Sequence, residues 1–152
     1  MHRYEATIRW HRGEQKFVDN RYSRAHQWEF DGGARIAASS SPLSVPLPMS
    51  EAANVDPEEA LVAATSSCHM LFFLSFAARA GFVIDNYVDP AYGVMDKDSE
   101  GRMAITRIVL RPEILFFGAA PDADALARLH EQAHHHCYIA NSLKAEVVVE
   151  AT

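Results

Sequence analysis

Two cysteines and a cluster of histidines are the residues of this 152-residue chain whose types and spacing can do chemistry. Cys68 lies inside a long apolar segment, and Cys137 follows His134-His135-His136, 69 positions later. At about 100° per residue, Leu61, Ala64, Leu71, Phe72 and Ser75 share a helical face with Cys68. If the later helical pattern runs on through Cys137, Ala133 and Cys137 each fall within about 20° of Leu126. Both thiols then face the interior, on separate elements that only the fold can bring together. One reading makes them small buried hydrophobes. The other makes them a redox pair, which needs a cation to lower a thiol pKa raised by apolar surroundings. No cation close in sequence serves Cys68, so a distant arginine must.

The second constellation is His130-Glu131-Gln132-Ala133-His134, an H-E-x-x-H match. On a helix this spacing sets two histidines one turn apart as zinc ligands, with the glutamate activating a water. His135, His136 and Cys137 add further ligand types. The longer metalloprotease pattern does not continue, because Cys137 and Ala140 stand where glycine and histidine are required. Glu150 is the acidic residue after the run that can serve as a third ligand, at the end of an expected strand. A metal-binding protein using His130, His134 and a cysteine is thus the alternative to thiol chemistry. A polar helix shoulder is the plainest reading of the same residues.

The elements that must position these groups follow from patterning. Tyr4 to Trp10 alternates with the period of a half-buried strand. His26 to Phe30 and Ala34 to Ala38 form a second and third strand around the Asp31-Gly32-Gly33 turn. Ser39 to Asn54, carrying Pro42, Pro46 and Pro48, is a long loop. Asp56 is suited to cap a helix that Pro57 opens, with Glu58 and Glu59 at its positive end. That helix runs to about Ala80, where Gly81 ends it. It is apolar nearly all round, the pattern of a buried element. Phe82 to Met95 and Met103 to Leu110 read as strands joined by the turn Asp96 to Gly101. Glu113 to Phe117 continues the sheet beyond Pro112. Pro121-Asp122 opens a second helix, and Ala145 to Val149 closes the chain as a strand. The order is that of an α+β domain spanning residues 1–152.

Composition bounds the function. The chain carries 14 basic and 20 acidic residues, a net charge of −6, with a sequence pI near 5.7. This speaks against nucleic acid as a partner. With 49% hydrophobic residues it can bury a core, and two cysteines are too few for a secreted disulfide scaffold. Ala60 to Ala78 has no charged residue, yet its Thr65-Ser66-Ser67-Cys68-His69 centre is costly in hydrocarbon, so a core helix is expected rather than a membrane span. The N-terminus shows no apolar signal segment. A cytoplasmic protein is expected.

Asp56-Pro57-Glu58-Glu59-Ala60-Leu61, Ser66-Ser67-Cys68-His69-Met70 and His136-Cys137-Tyr138-Ile139-Ala140-Asn141-Ser142 together resemble the OsmC/Ohr family, the osmotically inducible and organic hydroperoxide resistance proteins. A Pro-Glu pair opens the central helix, a cysteine follows that glutamate by ten positions, and a second cysteine precedes a small-polar turn and the last strand. The resemblance implies an OsmC-like fold, two antiparallel β-sheets around a long buried central helix, in an intertwined homodimer. It implies a thiol peroxidase for organic hydroperoxides or hydrogen peroxide, with Cys68 as the peroxidatic and Cys137 as the resolving thiol. An external dithiol, of lipoyl type, restores both, and neither cofactor nor metal is required. The family holds an activating arginine by the helix-start glutamate, which Glu58 matches by spacing. Arg12, in Trp10-His11-Arg12-Gly13 after the first strand, matches the Ohr-like position of that arginine. The OsmC-like position, ten residues before Glu58, is Pro48 here, which leaves Arg24 and Arg35 as the other candidates. A family member without catalysis is the third reading.

Overall fold

The computed structural model describes residues 1–150 and divides the chain into two compact units, Met1–Ala60 and Leu61–Thr152. In the first, β1 (Ala6–Arg9), β2 (His26–Phe30) and β3 (Arg35–Ala38) form an antiparallel sheet in that order. The β2–β3 turn closes through Phe30 N–H donating to the Ala34 carbonyl at 2.9 Å, with Gly33 at φ +95°. A side chain disfavours that backbone region, which is why glycine stands there. The long loop after β3 is pinned back on the sheet. Val55 bridges Ala38, the Asn54 side-chain amide donates to the Ala38 carbonyl, and Glu51 N–H donates to Ser39 Oγ.

Helix α1 (Pro57–Arg79) starts on a reciprocal cap: Asp56 Oδ1 accepts from Glu59 N–H, and Glu59 Oε1 accepts from Asp56 N–H, each at 2.8 Å. Glu59 is the cap's acidic partner, leaving Glu58 outside it. At the other end Gly81 adopts φ +87°, Phe82 N–H bonds the Ala77 carbonyl, and Gly81 N–H bonds that of Ala78. These are the two bonds of a glycine-terminated helix, with Phe82 folded onto the core.

In the second unit the expected strand from Phe82 to Met95 is two strands, β4 (Val83–Val88) and β5 (Tyr92–Lys97). Asp89-Pro90 makes the corner between them. The Asp89 carboxylate accepts from Ser66 Oγ on α1 and from Arg111 N–H, and the Arg111 guanidinium donates twice to the Pro90 carbonyl. Strand β6 (Met103–Leu110) pairs with β5, and β8 (Glu146–Val149) runs parallel to β6. Strand β7 (Glu113–Phe117) does not continue that sheet. It pairs with β4, because Arg111 N–H is spent on Asp89 and Pro112 has no N–H to extend the ladder.

The α+β class is as expected, but in place of two antiparallel sheets the described residues form three small ones, of three, two and three strands, and the β6–β8 pair is parallel. The connection from β6 to β8 passes through α2 (Ala123–His136) and α3 (Tyr138–Asn141), long enough to return the chain in the same direction. Helix α2 is capped by Asp122, whose side chain accepts from Ala125 N–H at 2.8 Å.

Helix α1 also differs from the all-round burial its composition suggests. Its buried residues are Thr65, His69, Phe73 and Ala77, one stripe with a four-residue period, while Leu71 is 60% exposed. Phe73 and Ala77 pack with Leu129 and Ala133 of α2, over Phe82, Tyr87, Ile114 and Phe116. By length and composition α1 could cross a membrane; its buried stripe is that of a core helix.

Candidate functional site

The fold brings the two cysteines together. Cys68 is half-buried in the middle of α1, and Cys137 is 1% exposed just past the end of α2. Both are free thiols, and the Cys68 thiol is near enough to that of Cys137 to raise its pKa. Helix α2 does not run on through Cys137. It stops at His136, Cys137 turns to an extended backbone with ψ 110°, and its sulfur caps α3 by accepting from Ala140 N–H at 3.4 Å. Burial pushes the Cys137 thiol above its ordinary pKa, the Ala140 N–H opposes that, and the neighbouring Cys68 adds to it. Cys137 is therefore held protonated near neutral pH.

Aromatic side chains flank the pair. Phe72, one turn after Cys68, meets the Tyr138 ring edge-on at 5.0 Å, and Tyr138, beside Cys137, is 70% exposed. Phe76 stacks on Phe72 at 6.2 Å and His136 meets it at 5.2 Å.

The histidines behave unlike zinc ligands. His130 is 6% exposed and turns inward, its Nδ1 lying 3.0 Å from Nε2 of buried His69 and its ring stacked on Phe73 at 4.3 Å. His134 is exposed on the other side of the turn, and no group of three His, Cys, Asp or Glu residues among those described converges as a metal site would. The H-E-x-x-H match is one core histidine and one surface histidine. Burial holds His69 well below the usual range, to about 4, with His130 and His134 adding repulsion. Burial likewise lowers His130 to about 4, against the pull of Asp89. Both rings are neutral at pH 7. The bond between His69 and His130 is not among the contacts expected from the sequence. The four-residue stripe Thr65, His69, Phe73, Ala77 was the available signal.

In the first unit, Glu58 is half-buried, and its Oε2 is buried without a hydrogen-bond partner. Helix α1 is unbroken through its first turn, so no local break redirects this side chain. Arg12 is exposed and occupied within its own turn, donating to the Gln15 carbonyl. Arg35 lies at the exposed start of β3. Arg24 is placed differently. Its guanidinium sits 3.6 Å over the Tyr22 ring and donates to the carbonyls of Asn20 and Tyr22 and to Asn20 Oδ1. Among the described residues no carboxylate pairs with it.

Arg24 lines a cavity of about 440 Å³ with Ile8, Trp10, Phe17, Tyr22 and His26. Phe17 stacks on Tyr22 at 4.6 Å, and Trp10 leans on both. Trp28 Nε1–H donates to His26 Nε2, so His26 Nδ1 carries the proton it gives to the Arg24 carbonyl at 2.7 Å. The chain thus presents a cation fixed by backbone carbonyls in an aromatic cup. Nothing in the first-strand patterning pointed to this cup.

Residues 50–152 match the family model described as OsmC-like protein. An OsmC-like protein of unknown function from Vibrio cholerae is 50% identical over 100% of both chains and superposes with a TM-score of 0.97. Organic hydroperoxide resistance proteins from Elizabethkingia anophelis (16% identity, 100% of this chain and 95% of that one, TM-score 0.71) and Bacillus subtilis (18%, 99% and 98%, 0.67) share the fold. No curated protein matches the chain. The family model and the half-identical relative agree over most or all of the sequence, and this chain belongs to the OsmC/Ohr family.

Proposed function

We propose that this protein is a thiol peroxidase that reduces organic hydroperoxides or hydrogen peroxide through Cys68 and Cys137. The observation that carries the reading is the meeting of these two free thiols, 69 positions apart in sequence, one half-buried and one buried. The more accessible Cys68 attacks as thiolate. Its sulfur takes the outer peroxide oxygen, the O–O bond breaks, and the alkoxide leaves as alcohol on gaining a proton, giving a Cys68 sulfenic acid. Cys137, protonated until then by burial, gives up its proton to the departing hydroxyl as its sulfur attacks that of Cys68. One water leaves and the Cys68–Cys137 disulfide forms, so that peroxide and two thiols become alcohol, water and disulfide. An external dithiol, of lipoyl type by family resemblance, reduces the disulfide and is itself oxidised.

The aromatic flank of Phe72 and Tyr138 suits the organic part of the peroxide. A cation must stabilise the thiolate and the departing oxygen. Arg12 holds the Ohr-like position and Arg24 is likewise held by carbonyls near it in the chain, but Arg24 also lines the aromatic cavity, and we assign the role to Arg24. Glu58, with a buried unpartnered oxygen, is the carboxylate proposed to hold that arginine. The half-exposed apolar surface of α1 supports a homodimer.

The test is a thiol titration of reduced protein before and after one equivalent of cumene hydroperoxide. Loss of both thiols, with an intramolecular Cys68–Cys137 disulfide in the mass spectrum, is expected. Survival of both thiols in prolonged excess peroxide would end the proposal.

A further inference from the structure

Helix α1 carries Cys68, and Cys137 follows the last residue of α2, so the meeting of the thiols depends on how these two helices are held. Most of their seam is apolar: Phe73 and Ala77 against Leu129 and Ala133. Apolar packing is non-directional and tolerates small slides. One contact across the seam is directional, the 3.0 Å bond between His69 Nε2 and His130 Nδ1, with both side chains buried. Its ends stand one residue after Cys68 and two helical turns before Cys137, on the face that also carries Ala133.

The surroundings fix the proton in this bond. His69 Nδ1 is buried and has no partner among the described residues. If His130 were the donor, His69 would carry its proton on Nδ1, as an orphaned buried N–H. With His69 Nε2–H donating to His130 Nδ1, the buried His69 Nδ1 is an unprotonated ring nitrogen, a less costly vacancy than an orphaned N–H. The rings lie within 10° of parallel, and Phe73 supports His130 from beneath. The bond therefore has a defined direction and a defined donor.

We propose that the His69–His130 hydrogen bond is a positioning contact that keeps Cys68 and Cys137 in disulfide register. His69 and His130 touch no substrate in this role; they act through the helices that bear the thiols. The inference needs only that the two thiols can pair, and it does not depend on peroxide as the oxidant.

Equilibration of the whole protein with reduced and oxidised glutathione tests it. Thiolate exchange with glutathione disulfide forms a mixed disulfide, which the second cysteine displaces, yielding the Cys68–Cys137 bond and two glutathione thiols. The equilibrium constant is the effective concentration of one thiol at the other. His130→Phe keeps a ring on Phe73 and removes the nitrogen; it is expected to lower that concentration about three- to tenfold, the range for losing one net hydrogen bond. His130→Asn, which returns a polar atom near the Nδ1 position, is expected to recover most of it. Leu126→Ala, a core truncation away from the bond, should lower the unfolding midpoint and leave the effective concentration within twofold of wild type. If His130→Phe does not fold, His69→Leu against His69→Gln asks the same question from the other ring, since the glutamine amide reaches the Nε2 position. An unchanged constant in the nitrogen-free variants, or an equal fall in Leu126→Ala, overturns the proposal. A wild-type protein that forms the disulfide with glutathione but not with peroxide would refute the peroxidase reading and leave this inference standing.

Discussion

The aromatic cup of the first unit and the thiol–histidine seam of the second hold their reactive groups by opposite means. Arg24 is fixed by partners two and four residues away, the carbonyls of Tyr22 and Asn20 and the Asn20 side chain. Cys68 and Cys137, and His69 and His130, come from helices far apart in sequence and meet only because α1 and α2 pack. The local arrangement holds a charge that keeps its hydration and uses backbone acceptors. The distant one removes its groups from water, so both histidines are neutral and the Cys137 thiol is hard to ionise. A cation belongs in the first kind of site and a waiting thiol in the second.

Variants can separate the two. Cys68→Ser is expected to reduce peroxide turnover to the buffer background, whereas Cys137→Ser should still consume one equivalent and leave a sulfenic acid that a dimedone-type reagent captures. Peroxide consumption and mass spectrometry distinguish them, and turnover in Cys68→Ser would move the chemistry away from this pair. On the other side, Arg24→Ala should lower kcat/KM for cumene hydroperoxide by about 10²-fold, as loss of one preorganised donor does elsewhere. Arg12→Ala should stay within twofold, and the reverse order would return the role to Arg12.

The buried histidines make the second unit acid-sensitive. Each ring titrates near 6.5 when unfolded and at about 4 when folded, so between these values the unfolded chain binds more protons. Stability is therefore complete above about pH 6.5 and is lost as pH falls towards 4, by on the order of a few kcal/mol. Urea midpoints across that window should decline in wild type and flatten in the His69→Leu, His130→Phe double variant. The smallest expected effect is steric. A Cβ on Gly93 of β5 would lie 2.9 Å from Val62 Cγ2 on α1. Gly93→Ala should cost about 1–3 kcal/mol in urea unfolding, the range for overpacking. An unchanged midpoint would show that α1 can shift over β5.

Much of this was legible where the determinants were local. Asp56 and Glu59, Asp122, and Gly81 announced the helix ends because caps are made by residues within a turn of each other. The thiol pair was legible only through family resemblance, since helix faces alone say that two cysteines point inward and not that they meet. His130 offers half of a metal motif, one alternative beside a polar helix shoulder, because its spacing to His134 is correct. The spacing does not say that one residue faces the core and the other the solvent.

By itself, the sequence determined the α+β order of elements, the capped 23-residue helix and the identity of the two thiols. These depend on periodicity and short-range hydrogen bonds, which act between neighbours in the chain. Tertiary structure alone decided that β7 joins β4, that Cys137 leaves the helix to cap α3, and that His130 bonds to His69. Each is a choice among partners of equal local merit, and only the packing of distant segments, with buried polar groups needing partners, can make it.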